Sequence, residues 1–173
     1  MKVAVLGAGW VSAAGWGRGN LDDRLPFPQG EVRLPSPAEV FLKTPARWGR
    51  FDAFCKMGSC AAGLALKEAG LGPLPPYGTG MLVASRWETT QTDRAFHQST
   101  LVEGGALSSP NLFSYTLPAT VLGECAAAFS LLGPTFCMGD SGGTARDALR
   151  AAASLLASKA SPVMLVARIE SPP

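Results

Sequence analysis

An α/β layered fold with a largely parallel sheet is the class this sequence predicts, and three observations carry it. Short apolar runs at residues 2–6, 79–85, 135–139 and 162–168 recur along the chain and are separated by segments of helical periodicity. Strands alternating with helices argue for crossover connections and a parallel sheet. Gly and Pro cluster between the periodic segments, and no internal repeat is visible.

Residues 2–6, KVAVL, precede a Gly-Ala-Gly turn and are predicted to form a buried first strand. The stretch 16–46 is rich in Gly, Pro and charge and reads as an extended loop with no core of its own. From 47 to 70, Phe51, Phe54, Cys55, Gly58, Ala62, Leu66 and Ala69 recur at three- and four-residue spacing, a helical stripe closed by Gly70. Residues 70–78 form a turn and 79–85 a second buried strand. A helical segment follows over 89–103, with Phe96, Leu101 and Val102 apolar among polar neighbours. Residues 108–113 read as a loop. The apolar stretch 115–132 tolerates Pro118 in a first turn and, being apolar nearly all round, is expected to be buried on several sides. A third strand is predicted at 135–139, an Ala-rich helix at 143–158 and a fourth strand at 162–168.

The chain has 173 residues, of which 47% are hydrophobic and only 16% charged, against roughly 25% charged in ordinary soluble domains. So little charge suggests that part of the surface is covered by another subunit. The net charge is +2 and the basic residues are dispersed, which gives no nucleic-acid footprint. The apolar N-terminal run is broken by glycine within six residues, so it reads as a strand rather than a signal peptide. No run of 18 apolar residues exists, so no membrane span is expected. Cys55, Cys60, Cys125 and Cys137 form no C-x-x-C pair and lie in apolar stretches, where cysteine is a small buried hydrophobe. A cytoplasmic protein follows as the default. His97 is the single histidine, which excludes multi-histidine metal sites. No metal and no cofactor is expected.

Two local motifs suggest chemistry and are outweighed. Gly7-Ala8-Gly9 begins a dinucleotide fingerprint, but the third glycine position is Ser12 and no acid-tipped second strand follows. Gly139-Asp140-Ser141-Gly142-Gly143 matches the nucleophile surroundings of chymotrypsin-like proteases. That chemistry needs a histidine base and an orienting aspartate, and His97 lies in a helical pattern, in an alternating rather than all-β chain.

A co-linear set of residues is more specific. Residues 3–12 (VAVLGAGWVS), then Arg50-Phe51-Asp52 through Ala69-Gly70-Leu71, then Ser109-Pro110, Phe113, Thr116-Leu117-Pro118, Leu132-Gly133-Pro134 and finally Val163 to Glu170 follow in order. This set resembles the N-terminal half of β-ketoacyl-acyl-carrier-protein synthases. The resemblance covers nearly the whole chain except 16–46. It implies the N-terminal half of a thiolase-like fold, a mostly parallel sheet with helices on both faces, in one domain over 1–173.

The resemblance also locates what is missing. In the family a cysteine nucleophile sits eight residues after the proline of the Gly-Pro pair, at a strand-to-helix turn whose helix N-terminus lowers the thiol pKa. Eight residues after Pro134 stands Gly142. Cys137 is five residues early, within the preceding strand, and Ser141 is one residue off and lacks a base. The family's two histidines belong to a C-terminal half that this sequence does not contain, and His97 is at no matching position; a partly exposed helix residue is the plainer reading. In ketosynthases the strand matching Thr135, Phe136, Cys137 and Met138 pairs across a dimer axis. The segment after Ser-Pro, here Leu112, Phe113, Thr116 and Thr120, reaches across that axis. Those four residues are read either as plain interface packing or as lining of a partner's acyl pocket.

The resemblance therefore implies a non-catalytic, chain-length-factor-like subunit partnering a full-length ketosynthase in fatty-acid or polyketide (polyene) biosynthesis. Two alternatives stay open. One is a scaffold pairing with a second copy of itself and holding an acyl chain or an acyl carrier protein. The other is a weak enzyme using Ser141.

Overall fold

The computed structural model describes residues 2–19, 30–71 and 77–171. Its centre is a three-stranded parallel sheet in the order β4-β3-β5, from β3 (Gly80–Ser85), β4 (Thr135–Gly139) and β5 (Met164–Arg168). β3 is buried at every position, as the uniformly apolar run 79–85 predicts for a strand flanked on both edges and covered on both faces. Val83 pairs with Cys137 on one side and Ala167 on the other, so these three side chains share one face of the sheet.

Helices cover both faces. On the face carrying Met81, Val83, Cys137 and Ala167 lie α2 (Ala53–Glu68) and α5 (Thr120–Phe129), closing the main core around Phe51, Phe54, Cys60, Tyr115 and Val121. On the opposite face α6 (Arg146–Ala157) sets Ala148 and Ala152 against Leu82 and Ala84. Alanine there admits close approach of helix and sheet, but Leu149 on the same helix remains 56% exposed.

The start of α2 follows from its sequence. Asp52 Oδ1 accepts the Cys55 N–H at 2.8 Å, an N-cap bond, while Oδ2 accepts from Thr92 Oγ1 at 2.6 Å. Gly70 terminates it with φ +66°. The predicted stripe is buried from Phe51 through Leu66.

Several expectations need correction. Residues 2–8 belong to no strand, and Val3, Val5 and Leu6 are 51%, 88% and 55% exposed. The sequence predicted a buried strand there. An apolar groove of about 260 Å³ lies between residues 3–7 and residues 163–166, floored by α2 and α6 side chains, so the segment lacks the neighbour that would bury it. The chain instead forms an antiparallel hairpin of β1 (Gly9–Ser12) and β2 (Gly15–Arg18). The segment 16–46 is likewise not one loop. It contributes β2 and a short helix, α1 (Pro37–Val40), and Val40 and Phe41 enter the main core, with Phe41 stacked on Phe129 at 5.4 Å; the rest of that prediction, 20–29, lies outside the described residues. Within 108–113, Ser109 caps a one-turn helix, α4 (Pro110–Phe113), by accepting Leu112 N–H at 3.2 Å. α5 is shorter than the apolar stretch 115–132, and only one side of it is buried, through Val121, Leu122, Cys125 and Phe129. Gly123 and Ala127 face outward, because small residues leave little apolar area to hide. The segment 89–103 becomes α3 (Thr90–Leu101) followed by a single 3₁₀ turn.

Candidate functional site

The carboxyl ends of the parallel strands are where open α/β sheets place their sites, and the polar side chains of this chain gather there. β4 runs into the turn 140–143, closed by Gly143 N–H donating to the Asp140 carbonyl at 3.0 Å, with Gly143 at φ +64°. Ala145 then takes a left-handed conformation, φ +51°, immediately before α6. This is the strand-to-helix elbow expected from the sequence. Gly142 sits exposed in it, and a Cβ placed there would meet only Thr144 Oγ1, at 4.0 Å. Position 142 thus has room for a side chain and carries none.

Around the elbow the three strand ends are tied together by ion pairs and hydrogen bonds. Asp140 Oδ2 accepts from Ala145 N–H at 2.8 Å and Oδ1 from Thr144 N–H at 3.3 Å. Arg168, at the end of β5, lies 3.6 Å from Asp140 Oδ2 and 3.1 Å from Glu170 Oε1. Glu170 in turn accepts the Arg86 N–H after β3, and Asp140 N–H donates to the Ser85 carbonyl. No motif in the sequence points to this cluster; its one signal is the charged residues at the tips of two strands, Asp140 and Arg168-Ile169-Glu170.

Ser141 is exposed in the turn, and among the described residues no side-chain base hydrogen-bonds to it. His97 is exposed in the middle of α3. Cys137 points into the core face of β4 beside Val83, away from the elbow, and burial pushes its thiol up to about 11, with Glu88 adding to the shift. A nucleophile of that basicity is protonated at neutral pH.

The four residues assigned to an acyl-pocket or interface role lie on one folded segment. Thr116 Oγ1 donates to the Phe113 carbonyl at 2.9 Å, and Thr120 Oγ1 to the Ser114 carbonyl at 3.2 Å. The Phe113 ring is 62% exposed and packs 5.3 Å from Phe96, while Leu112, Thr116 and Thr120 are half-buried. Thr89, in the loop that follows β3, is buried and donates to the Thr116 carbonyl at 2.7 Å, which ties this segment to the carboxyl end of the sheet. On β4, Thr135 and Phe136 are exposed and Cys137 and Met138 half-buried. Among the described residues no strand pairs with the outer edge of β4.

This arrangement is similar to solved ketosynthase structures. The chain has a thiolase-like, ketosynthase-type fold. A β-ketoacyl synthase from Burkholderia phymatum matches 91% of this chain with a TM-score of 0.66 at 17% identity. The complex of a type II polyketide synthase acyl-carrier protein with its ketosynthase, bound to the hexaketide, matches 73% with a TM-score of 0.62 at 22% identity. The chain spans 44% and 37% of the lengths of those two ketosynthase-type matches, less than half of each. No family model matches the sequence, and no curated protein matches it. Among the described residues no helix is long and apolar enough to cross a membrane.

Proposed function

We propose that this chain is a non-catalytic ketosynthase-like subunit that pairs with a full-length ketosynthase and acts as a chain-length factor in fatty-acid or polyketide (polyene) biosynthesis. The observation that carries the reading is Gly142: β4 and α6 are joined by an exposed turn, the Cβ space at position 142 is open, and glycine brings no nucleophile to that position. The ketosynthase-type fold supports the pairing, as does the β4 edge, which pairs with no further strand among the described residues and carries the exposed Phe136. An exposed strand edge carrying an aromatic is a template for another chain. Leu112, Phe113, Thr116 and Thr120 would then face the partner and limit the acyl chain it holds. An acyl carrier protein is a partner of the assembled pair, as it is of the ketosynthase in the hexaketide-bound complex.

Co-expression with a full-length ketosynthase from the same organism tests the proposal. The expected result is a stable complex of one copy of each, whose products change length in Phe113→Ala. A ketosynthase that purifies alone and gives the same products with or without this chain would defeat the reading. The same β4 edge also suits antiparallel pairing with a second copy through a self-complementary interface. A homodimer that persists in the presence of the ketosynthase would favour that scaffold reading.

A further inference from the structure

The start of α6 is positive by virtue of its oriented peptide dipoles, and in this chain its own Asp140 occupies that region. The carboxylate takes the two amides that precede the helix, Thr144 N–H at 3.3 Å and Ala145 N–H at 2.8 Å. Thr144 Oγ1 covers the next amide, Arg146 N–H, at 3.4 Å. The Asp140 side chain is only 10% exposed and is backed by Arg168 at 3.6 Å. Arg168 runs beneath the turn, where a Cβ on Gly143 would come within 3.3 Å of Nη2. Its guanidinium is shared with Glu170 at 3.1 Å, so two carboxylates face one cation and the cluster stays negative. On the first turn of α6, Arg146 and Asp147 are opposite in sign, and Asp147 is engaged by Arg150 at 3.6 Å.

We propose that Asp140 silences the elbow: it is a built-in anion that fills the amides before α6 and sets a carboxylate two residues from position 142. Resting on the non-catalytic reading above, this adds a second lesion to the missing nucleophile. A thiolate at position 142 would find the Thr144 and Ala145 N–H groups already taken by Asp140 and a net negative cluster at the start of α6, and like charge disfavours its formation. Restoring cysteine alone would not restore a reactive thiol.

Gly142→Cys is suited to the test because the Cβ enters open space. The readout is the pH dependence of iodoacetamide alkylation at position 142, followed by mass of the peptide spanning the elbow after reaction of the full-length protein. The thiolate sulfur displaces iodide, forming the S–C bond, and the thiol proton goes to buffer, so the rate reports the thiolate fraction. The expected midpoint for Gly142→Cys is at or above that of an ordinary free cysteine, about 8.5. Adding Asp140→Asn or Asp140→Ser, two neutral residues that still accept hydrogen bonds, is expected to move it down by a unit or more. Asp147→Asn in the same background is expected to move it much less. A midpoint near 7 in Gly142→Cys alone, or an unchanged midpoint in both Asp140 double variants while their circular dichroism is native, would overturn the proposal, as would an equal effect of Asp147→Asn. Complex formation with the ketosynthase is scored in the same samples; its loss would speak against the partner reading and leave the thiol result standing.

Discussion

Gly133 and Gly142 show how differently one residue type is used. A Cβ on Gly133 would lie 2.1 Å from the Gly78 carbonyl oxygen and 2.6 Å from Gly80 N, backbone atoms that cannot swing aside. Gly133 is therefore required where the chain enters β4 beside the start of β3. Gly133→Ala is expected to destabilise by about 3 kcal/mol, and Gly142→Ala by no more than about 0.5 kcal/mol, both read from urea denaturation midpoints. Gly7 and Gly9 belong to the first kind. Their Cβ positions fall 2.5 Å from α2 backbone atoms or the residue that follows them, Ala69 N for Gly7, and Ala61 O and Ala65 N for Gly9. The glycine pair that begins like a nucleotide fingerprint thus serves close approach of the chain to α2 and its C-terminal end.

The thiols give a second residue-scale prediction. Burial pushes Cys60 and Cys125 up to about 12, with Cys125 raising the former and a Ser59 hydrogen bond partly offsetting the latter, and raises Cys55 further, with Asp52 contributing. Unfolded, these groups ionise near 8.5. Between about pH 9 and pH 12 the unfolded chain loses protons that the folded chain keeps, so stability falls as pH rises and is fully present below pH 8. Urea midpoints are expected to be flat from pH 7 to 8 and to drop steadily above pH 9; a midpoint that rises over that interval would contradict the buried thiols.

At the scale of elements, Asp52 joins two helices. One carboxylate oxygen caps α2 and the other receives the Thr92 hydroxyl of α3. Asp52→Ala removes the cap, worth about 1 kcal/mol, and strands a buried hydroxyl, costing about 1 kcal/mol more. Thr92→Val in the Asp52→Ala background should then add little, and a double-mutant cycle in denaturant measures that coupling. α2 itself was readable because its stripe and its stop at Gly70 are local in sequence. α5 was readable in type but not in extent: residues 116–119 are apolar enough for a helix, yet Thr116 is held by the Thr89 bond from outside the segment.

For the whole molecule, β4 is the element whose partner decides the function proposed. Phe136 is 51% exposed on an edge strand that pairs outward with nothing among the described residues, and a charge there blocks edge pairing. Phe136→Lys is expected to abolish association with the ketosynthase, seen as loss of the complex on size-exclusion chromatography, while shifting the denaturation midpoint by no more than about 0.5 kcal/mol. Loss of stability without loss of the complex would remove β4 from the interface.

Local pattern was enough for the alternation of strands and helices, the stripe from Phe51 to Leu66 and the three sheet strands. Each depends on neighbours within one period of a helix or strand, and period is a local property. Packing across the molecule was needed to show that residues 2–8 stay outside the sheet, that Val40 and Phe41 leave a polar stretch to join the core, and that Asp140, Arg168 and Glu170 meet. Arg168 is 28 residues from Asp140 in the chain. Their meeting depends on β4 and β5 flanking β3 in register, and strand order is fixed by contacts across the sheet, which no local pattern encodes.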